Sequence, residues 1–208
     1  MLRGFYFITD RDLSRAGIVN DVKDAVAAGV CAVQYRNKEA STKEMLDEAL
    51  KLRKICRKMP FIINDRVDIA LAVKADGVHL GQDDMPLAMA RKILGKDRII
   101  GITVHSLLEA ERAQREGANY LGVSPIFVTH TKNDAGKPLG TSLISKIKSR
   151  CGIPLVAIAG ISLENAGMVI RAGADALCAL SAVIGKRNIA EEINKFQVFF
   201  NNKSARNK

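Results

Sequence analysis

A hydrophobic period that changes repeatedly along the chain limits the available folds more than any other feature. Four times an amphipathic segment ends in a small-residue break and passes at once into a short apolar run. The breaks are AAGVCAVQ (27–34), KADGVHLG (74–81), EGANYLGV (116–123) and RAGADALCAL (171–180). A glycine behind a helix takes the left-handed cap conformation, and the apolar run after it reads as a strand buried on both faces. Four further strand-like runs lie between them: FYFITD (5–10), FIIND (61–65), RIIGITV (98–104) and IPLVAIAG (153–160).

Eight strand-like runs alternate with helical patterns. In TKEMLDEALKLRKIC, residues Met45, Ala49, Leu52 and either Ile55 or Cys56 share one side. In SLLEAERAQREG, Ser106 reads as an N-cap, Glu109 completes a capping box and Gly117 closes the helix. SLENAGMVIRAG begins in the same way. Strict alternation without a Pro/Gly/Ser linker implies one α/β domain over residues 1–208, with 203–208 as a frayed basic tail. Units of about 25 residues fit a (β/α)8 TIM barrel better than an open sheet. An open sheet would also leave two edge strands in need of protection.

A barrel of this kind keeps its chemistry at the C-terminal strand ends. The apolar runs here stop at polar residues: Thr9-Asp10, then Gln34, Arg36 and Lys38, then Asn64-Asp65, Gln82 to Asp84, Thr103 and His105. Gln34, Arg36 and Lys38 are two apart and therefore share one face of an extended chain. Guanidinium and ammonium groups suit an oligophosphate, and Lys132 in THTKNDAGKPLG (129–140) adds another cation. Asp65 and Asp84 fit beside phosphate only if a hard cation lies between them, and Mg²⁺ is held in that way. Gly160 and Ser181 lie where backbone amides after strands 7 and 8 would bind a second phosphate. Each feature also has a structural reading, with Asp65 and Arg66 as a helix-capping pair and Asp83 and Asp84 as first-turn helix acids. Gln34, Arg36 and Lys38 read in the same way as a solvated strand end, His79 as a barrel-interior polar group and His105 as helix entry. Mutual compatibility of most strand tips favours function.

The segments YFITD (6–10), VQYRNK (33–38), INDRVDIALAVKADGVHLGQDDMP (63–86), GVSPIFVTHTKNDAGKPLG (122–140) and AIAGI (157–161) together resemble the thiamine-phosphate synthase family over nearly the whole chain. The resemblance implies a transferase that condenses 4-amino-2-methyl-5-(diphosphooxymethyl)pyrimidine with a thiazole phosphate, carboxylated or plain. Thiamine phosphate and pyrophosphate are its products, and a dissociative reaction through a pyrimidine methylene cation is implied. It also implies roles for particular residues. Gln34, Tyr35, Arg36, Asn37, Lys38 and Asn64 would form the pyrimidine-diphosphate segment, with Thr103 and Lys132. Thr129, His130, Thr131, Gly160, Leu180 and Ser181 would hold the thiazole phosphate. Asp65 and Asp84 would bind Mg²⁺ as the cofactor, and Lys132, Arg36 and Thr103 would be catalytic. Asn37, Thr103 and Val128 depart from the family's usual acid, serine and proline. The alternatives are a thiazole tautomerase of the same superfamily, which would not need the diphosphate set, and a non-catalytic phosphate-binding barrel.

The formal charge of +10 is spread among acids along helical segments, and with 5% aromatics and no Trp there is little for bases to stack on. The charge therefore points to small phosphorylated substrates and away from nucleic acid. Four cysteines without a C-x-x-C pair read as buried free thiols, and no apolar run reaches the roughly 18 residues of a membrane span. A cytoplasmic enzyme without a membrane partner is expected. FQVFFNN (196–202) is apolar enough either to pack under the barrel or to form a homo-oligomer contact.

Overall fold

A computed structural model describes residues 2–129 and 136–204. Among the described residues, eight parallel strands close into one barrel, each hydrogen-bonded to the next and the last to the first. They are β1 (Gly4–Ile8), β2 (Ala32–Tyr35), β3 (Phe61–Asn64), β4 (Gly77–Leu80), β5 (Ile99–Val104), β6 (Tyr120–Val123), β7 (Leu155–Ile158) and β8 (Ala176–Cys178). The helices between them are α1 (Ile18–Ala27), α2 (Thr42–Ile55), α3 (Val67–Ala72), α4 (Leu87–Leu94), α5 (Leu107–Arg115), α6 (Gly140–Lys148) and α7 (Leu163–Arg171). Behind β8 the chain makes a single turn, α8 (Leu180–Val183), and then the long α9 (Ile189–Ser204). The barrel expected from the sequence is the barrel observed.

Alternation along each strand divides the apolar residues into two groups. Phe5, Phe7, Val33, Tyr35, Ile63 and Val78 face outward into the shell of helices. Tyr6, Ile8, Ala32, Tyr120, Val156, Ile158, Ala176 and Cys178 pack inside the barrel. A residue two beyond an inward one is also inward, so polar residues past the strand ends continue the interior layers up to the barrel mouth.

Helix ends follow the expected chemistry with two differences. The Ser106 hydroxyl accepts from Glu109 N–H as expected, but the Glu109 carboxylate reaches back to the amide of His105 rather than to that of Ser106. At the break 74–81, Lys74 (φ 53°) takes the left-handed position and Gly77 does not. Gly77 is there for contact, because a Cβ on it would lie 2.0 Å from the Ile99 carbonyl oxygen. On α2, Cys56 rather than Ile55 completes the buried side with Met45, Ala49 and Leu52.

Helix α9 closes the fold against β1. Phe196 is buried and tilts against Phe5 at 5.5 Å, and the Gln197 side-chain oxygen accepts from Phe5 N–H. Phe200 is buried too. The apolar C-terminal run thus packs on the barrel. The helix continues through 203 and 204, part of the segment expected to fray, while 205–208 lie outside the described residues. No helix among the described residues is long and apolar enough to cross a membrane.

Candidate active site

The C-terminal ends of the strands surround a cavity of about 270 Å³. From β2 come Gln34, Arg36 and Lys38, and from β3 Asn64 and Asp65. Asp84 and Gln82 follow β4, Thr103 and His105 end β5, and Gly160, Leu180 and Ser181 lie across the mouth after β7 and β8. Ten of the residues expected in the site from sequence line it, and strand alternation places those of β2, β3 and β5.

Alternation also removes two residues from the cavity wall. Gln34 points inward, so Arg36 and Lys38 do as well, and Tyr35 and Asn37 must point outward. The Tyr35 hydroxyl donates to Glu48 of α2 at 2.6 Å, and the Asn37 amide donates to the same carboxylate oxygen at 3.1 Å. Neither side chain lines the cavity, where both were expected to meet substrate; they fasten the strand end to α2. The Glu48 carboxylate also accounts for Asn37, since an acid at 37 would place two like charges in contact.

Asp65 stands at the turn after β3 with φ 60°, a left-handed value tolerated by Asp and Asn. Its N–H donates to the His79 carbonyl at 2.8 Å, which fixes the turn to β4. Its carboxyl shares the cavity wall with that of Asp84, and Lys38 Nζ lies 3.7 Å away. Burial, then the closeness and charge of Asp84, push the Asp65 carboxyl up from 3.8 to about 6, against the pull of Lys38 and Arg36. The Asp84 carboxylate accepts from Gly81 N–H at 2.6 Å, so it folds back over its own turn towards Asp65.

A buried clamp holds Arg36. The Thr9 hydroxyl accepts from Arg36 N–H at 2.9 Å and donates to the Arg36 carbonyl at 3.0 Å. Across the mouth, Ala159 (φ 78°) and Gly160 (φ 67°) are consecutive left-handed residues. A Cβ on Gly160 would lie 2.5 Å from the Val128 carbonyl oxygen, so only glycine fits. The Asn165 amide donates to the Gly160 carbonyl at 2.9 Å and holds that peptide in place. Helix α8, which begins at Leu180, has no side-chain cap.

His105 lines the cavity, with Nδ1 2.6 Å from the Ser124 carbonyl oxygen, although its place before a helix had suggested only helix entry. Ala159 lines it as well, and no sequence signal marks an alanine for a left-handed turn. Thr129 is half-buried at the edge of the described segment. His130, Thr131 and Lys132, expected to contact substrate, lie outside the described residues.

A sequence profile of the family described as thiamine monophosphate synthase matches residues 5–183. The chain belongs to the thiamine monophosphate synthase family. It is 50% identical over 193 residues to thiamine-phosphate synthase of Methanosarcina barkeri, covering 92% of this chain and 88% of that one. Thiamine-phosphate synthase of Chloroflexus aurantiacus is 49% identical over 187 residues, 88% of this chain and 86% of its own. Among solved structures, thiamine phosphate pyrophosphorylase from Pyrococcus furiosus superposes with a TM-score of 0.88 at 38% identity, covering 96% of each chain. Membership makes this barrel a transferase of thiamine biosynthesis acting on small phosphorylated substrates.

Proposed function

We propose that the cavity joins the pyrimidine diphosphate to the thiazole phosphate, and that each side of the mouth holds one of them. Arg36, Lys38, Asn64 and Gln34 receive the pyrimidine diphosphate, with Thr103 beneath it. Gly160, Leu180 and Ser181 receive the thiazole phosphate through backbone amides, where positive-φ residues and an uncapped helix start leave N–H groups for an anion. Thr129, His130 and Thr131 add side-chain donors to that phosphate, and Lys132 reaches the diphosphate. Facing the two phosphates across one small cavity sets the thiazole nitrogen opposite the pyrimidine methylene carbon, a positional contribution to rate. Small cations and neutral donors fit a reaction whose demand is to stabilise a leaving diphosphate.

The observation that carries this reading is the Asp65–Asp84 pair on one cavity wall, close enough for Asp84 to raise the Asp65 carboxyl, with Lys38 3.7 Å from Asp65. Two carboxylates brought this close repel once both are ionised, and a hard divalent cation relieves that cost. The described residues hold no group of three or more metal-ligating acids, His or Cys. Two carboxylates with substrate phosphate fit Mg²⁺, which keeps waters and phosphate oxygens among its ligands, better than they fit a closed cage. Bound there, Mg²⁺ would neutralise charge developing on the diphosphate.

Thiamine phosphate formation by Asp84→Asn, followed against Mg²⁺ concentration, tests the assignment. The concentration for half-maximal rate should rise at least about tenfold, with thiazole-phosphate binding unchanged. A wild-type metal response in that variant would remove Asp84 from the metal site.

A further inference from the structure

Polar groups continue below the cavity floor into the barrel interior. Tyr6 and Tyr120 are fully enclosed, and their hydroxyl oxygens lie 2.7 Å apart. The Tyr120 hydroxyl is also 2.9 Å from His79 Nδ1, and His79 Nε2 is 2.8 Å from Thr103 Oγ1. At the other end, Gln34 Nε2 is 3.3 Å from the Tyr6 hydroxyl. Gln34, His79 and Thr103 all line the cavity. The chain of side chains therefore leaves the cavity at Gln34, passes through the buried phenols and returns to it at Thr103.

Two inward-facing glycines make room for this chain. A Cβ on Gly101 would lie 2.1 Å from Tyr120 Cζ, and one on Gly122 would lie 2.9 Å from His79 Cε1. The rings of His79 and Tyr120 stack at 5.4 Å above them.

Counting protons gives the chain a direction. The Gln34 amide nitrogen only donates, so the Tyr6 oxygen accepts from it. Burial pushes both phenols up, so each keeps its proton. The Tyr6 proton then goes to the Tyr120 oxygen, and the Tyr120 proton to His79 Nδ1, which must be the bare nitrogen. A neutral His79 carries its proton on Nε2 and donates it to Thr103 Oγ1. If Tyr120 instead donated to Tyr6, the Tyr6 oxygen would receive two donors and its own proton would have no acceptor in this network. If both Tyr6 and His79 donated to Tyr120, the Tyr120 proton would be stranded in the same way. A buried donor left unmade is costly, so the first order is selected.

We propose that Tyr6, Tyr120 and His79 form a proton-ordered chain that holds His79 as the Nε2–H tautomer and so presents Thr103 to the cavity as a hydrogen-bond donor. The three are positioning residues, and Thr103 is the group that meets substrate. The consequence for catalysis rests on the diphosphate reading above. A hydroxyl whose lone pair is already engaged by His79 aims its hydrogen at the leaving diphosphate without reorienting as charge develops.

The test is nitrogen NMR of the substrate-free wild-type protein labelled at histidine, with signals assigned from single His→Gln variants. His105 supplies the reference of opposite kind, because its Nδ1 faces the Ser124 carbonyl, which can only accept. The expected result is Nε2–H at His79 and protonated Nδ1 at His105 in one spectrum. A proton on His79 Nδ1, or on both its nitrogens, overturns the ordered chain whatever reaction the cavity performs. In turnover, Tyr120→Phe should lower kcat about tenfold with little change in KM for the pyrimidine diphosphate. Thr103→Val should lower kcat on the order of a hundredfold, and the double variant should be no slower than Thr103→Val alone. Multiplying losses would overturn the link from Tyr120 through Thr103. A wild-type protein that forms no thiamine phosphate would count against the diphosphate reading, while the spectrum would still decide the chain.

Discussion

Asp65→Asn should make the metal-free protein more stable at neutral pH while removing most of its turnover. The folded protein holds the Asp65 proton more tightly than the unfolded chain, with the carboxyl raised from 3.8 to about 6 by burial and by Asp84. A displacement of that size corresponds to about 3 kcal/mol. The side chain keeps 25% of its surface exposed, so solvent screening reduces the expectation to about 1–2 kcal/mol. The sign follows from proton uptake: the contribution is favourable at acid pH and is lost as pH rises through about 6. Asn does not ionise, so its advantage over wild type should open between those values and be complete above them. The backbone does not oppose the change, because Asn accepts the φ of 60°. Urea midpoints in chelator, at acid and at neutral pH, measure the effect. Excess Mg²⁺ should erase or reverse it, since binding then stabilises only the wild type. An Asn variant no more stable than wild type in chelator at neutral pH, or a gain independent of pH, would refute the reasoning.

Other substitutions separate site from scaffold. Gly160→Ala must accommodate a left-handed φ and a Cβ 2.5 Å from the Val128 carbonyl oxygen. It should cost about 2 kcal/mol in thermal unfolding and weaken thiazole-phosphate binding, measured by calorimetry, more than pyrimidine-diphosphate binding. Thr9→Val leaves the buried Arg36 N–H and carbonyl without their hydroxyl, so about 2 kcal/mol of stability should be lost, and KM for the pyrimidine diphosphate should rise in steady-state assays. Asn37→Asp sets a second carboxylate against Glu48 and should cost about 1 kcal/mol at neutral pH. The cost should disappear on acidification, and both KM values should stay near wild type because this side chain faces α2.

Barrel closure was legible because a parallel strand buried on both faces reads as an apolar run, and the eight runs recur with helices between them. The inward set Gln34, Arg36 and Lys38 was legible from spacing alone. The same period of two excluded Tyr35 and Asn37, but motif resemblance is read along the chain and does not distinguish the two faces of a strand. The Thr9 clamp was not legible, since its partner is the backbone of Arg36 on the neighbouring strand and backbone groups leave no mark in sequence. The left-handed Ala159 carried no signal because side-chain identity did not report its conformation. The roles of Tyr6 and Tyr120 depend on strand register across the barrel, which brings Gly101 opposite Tyr120. Register emerges only when the sheet closes.

The most direct measurement is one incubation of the protein with the pyrimidine diphosphate and the thiazole phosphate, with Mg²⁺ and with chelator, following thiamine phosphate and pyrophosphate together. The site as described predicts both products in equal amounts with the metal, and little of either in chelator. Equal product formation in chelator would contradict the Asp65–Asp84 metal site, and pyrophosphate released without thiamine phosphate would contradict the placement of the two phosphates across one cavity.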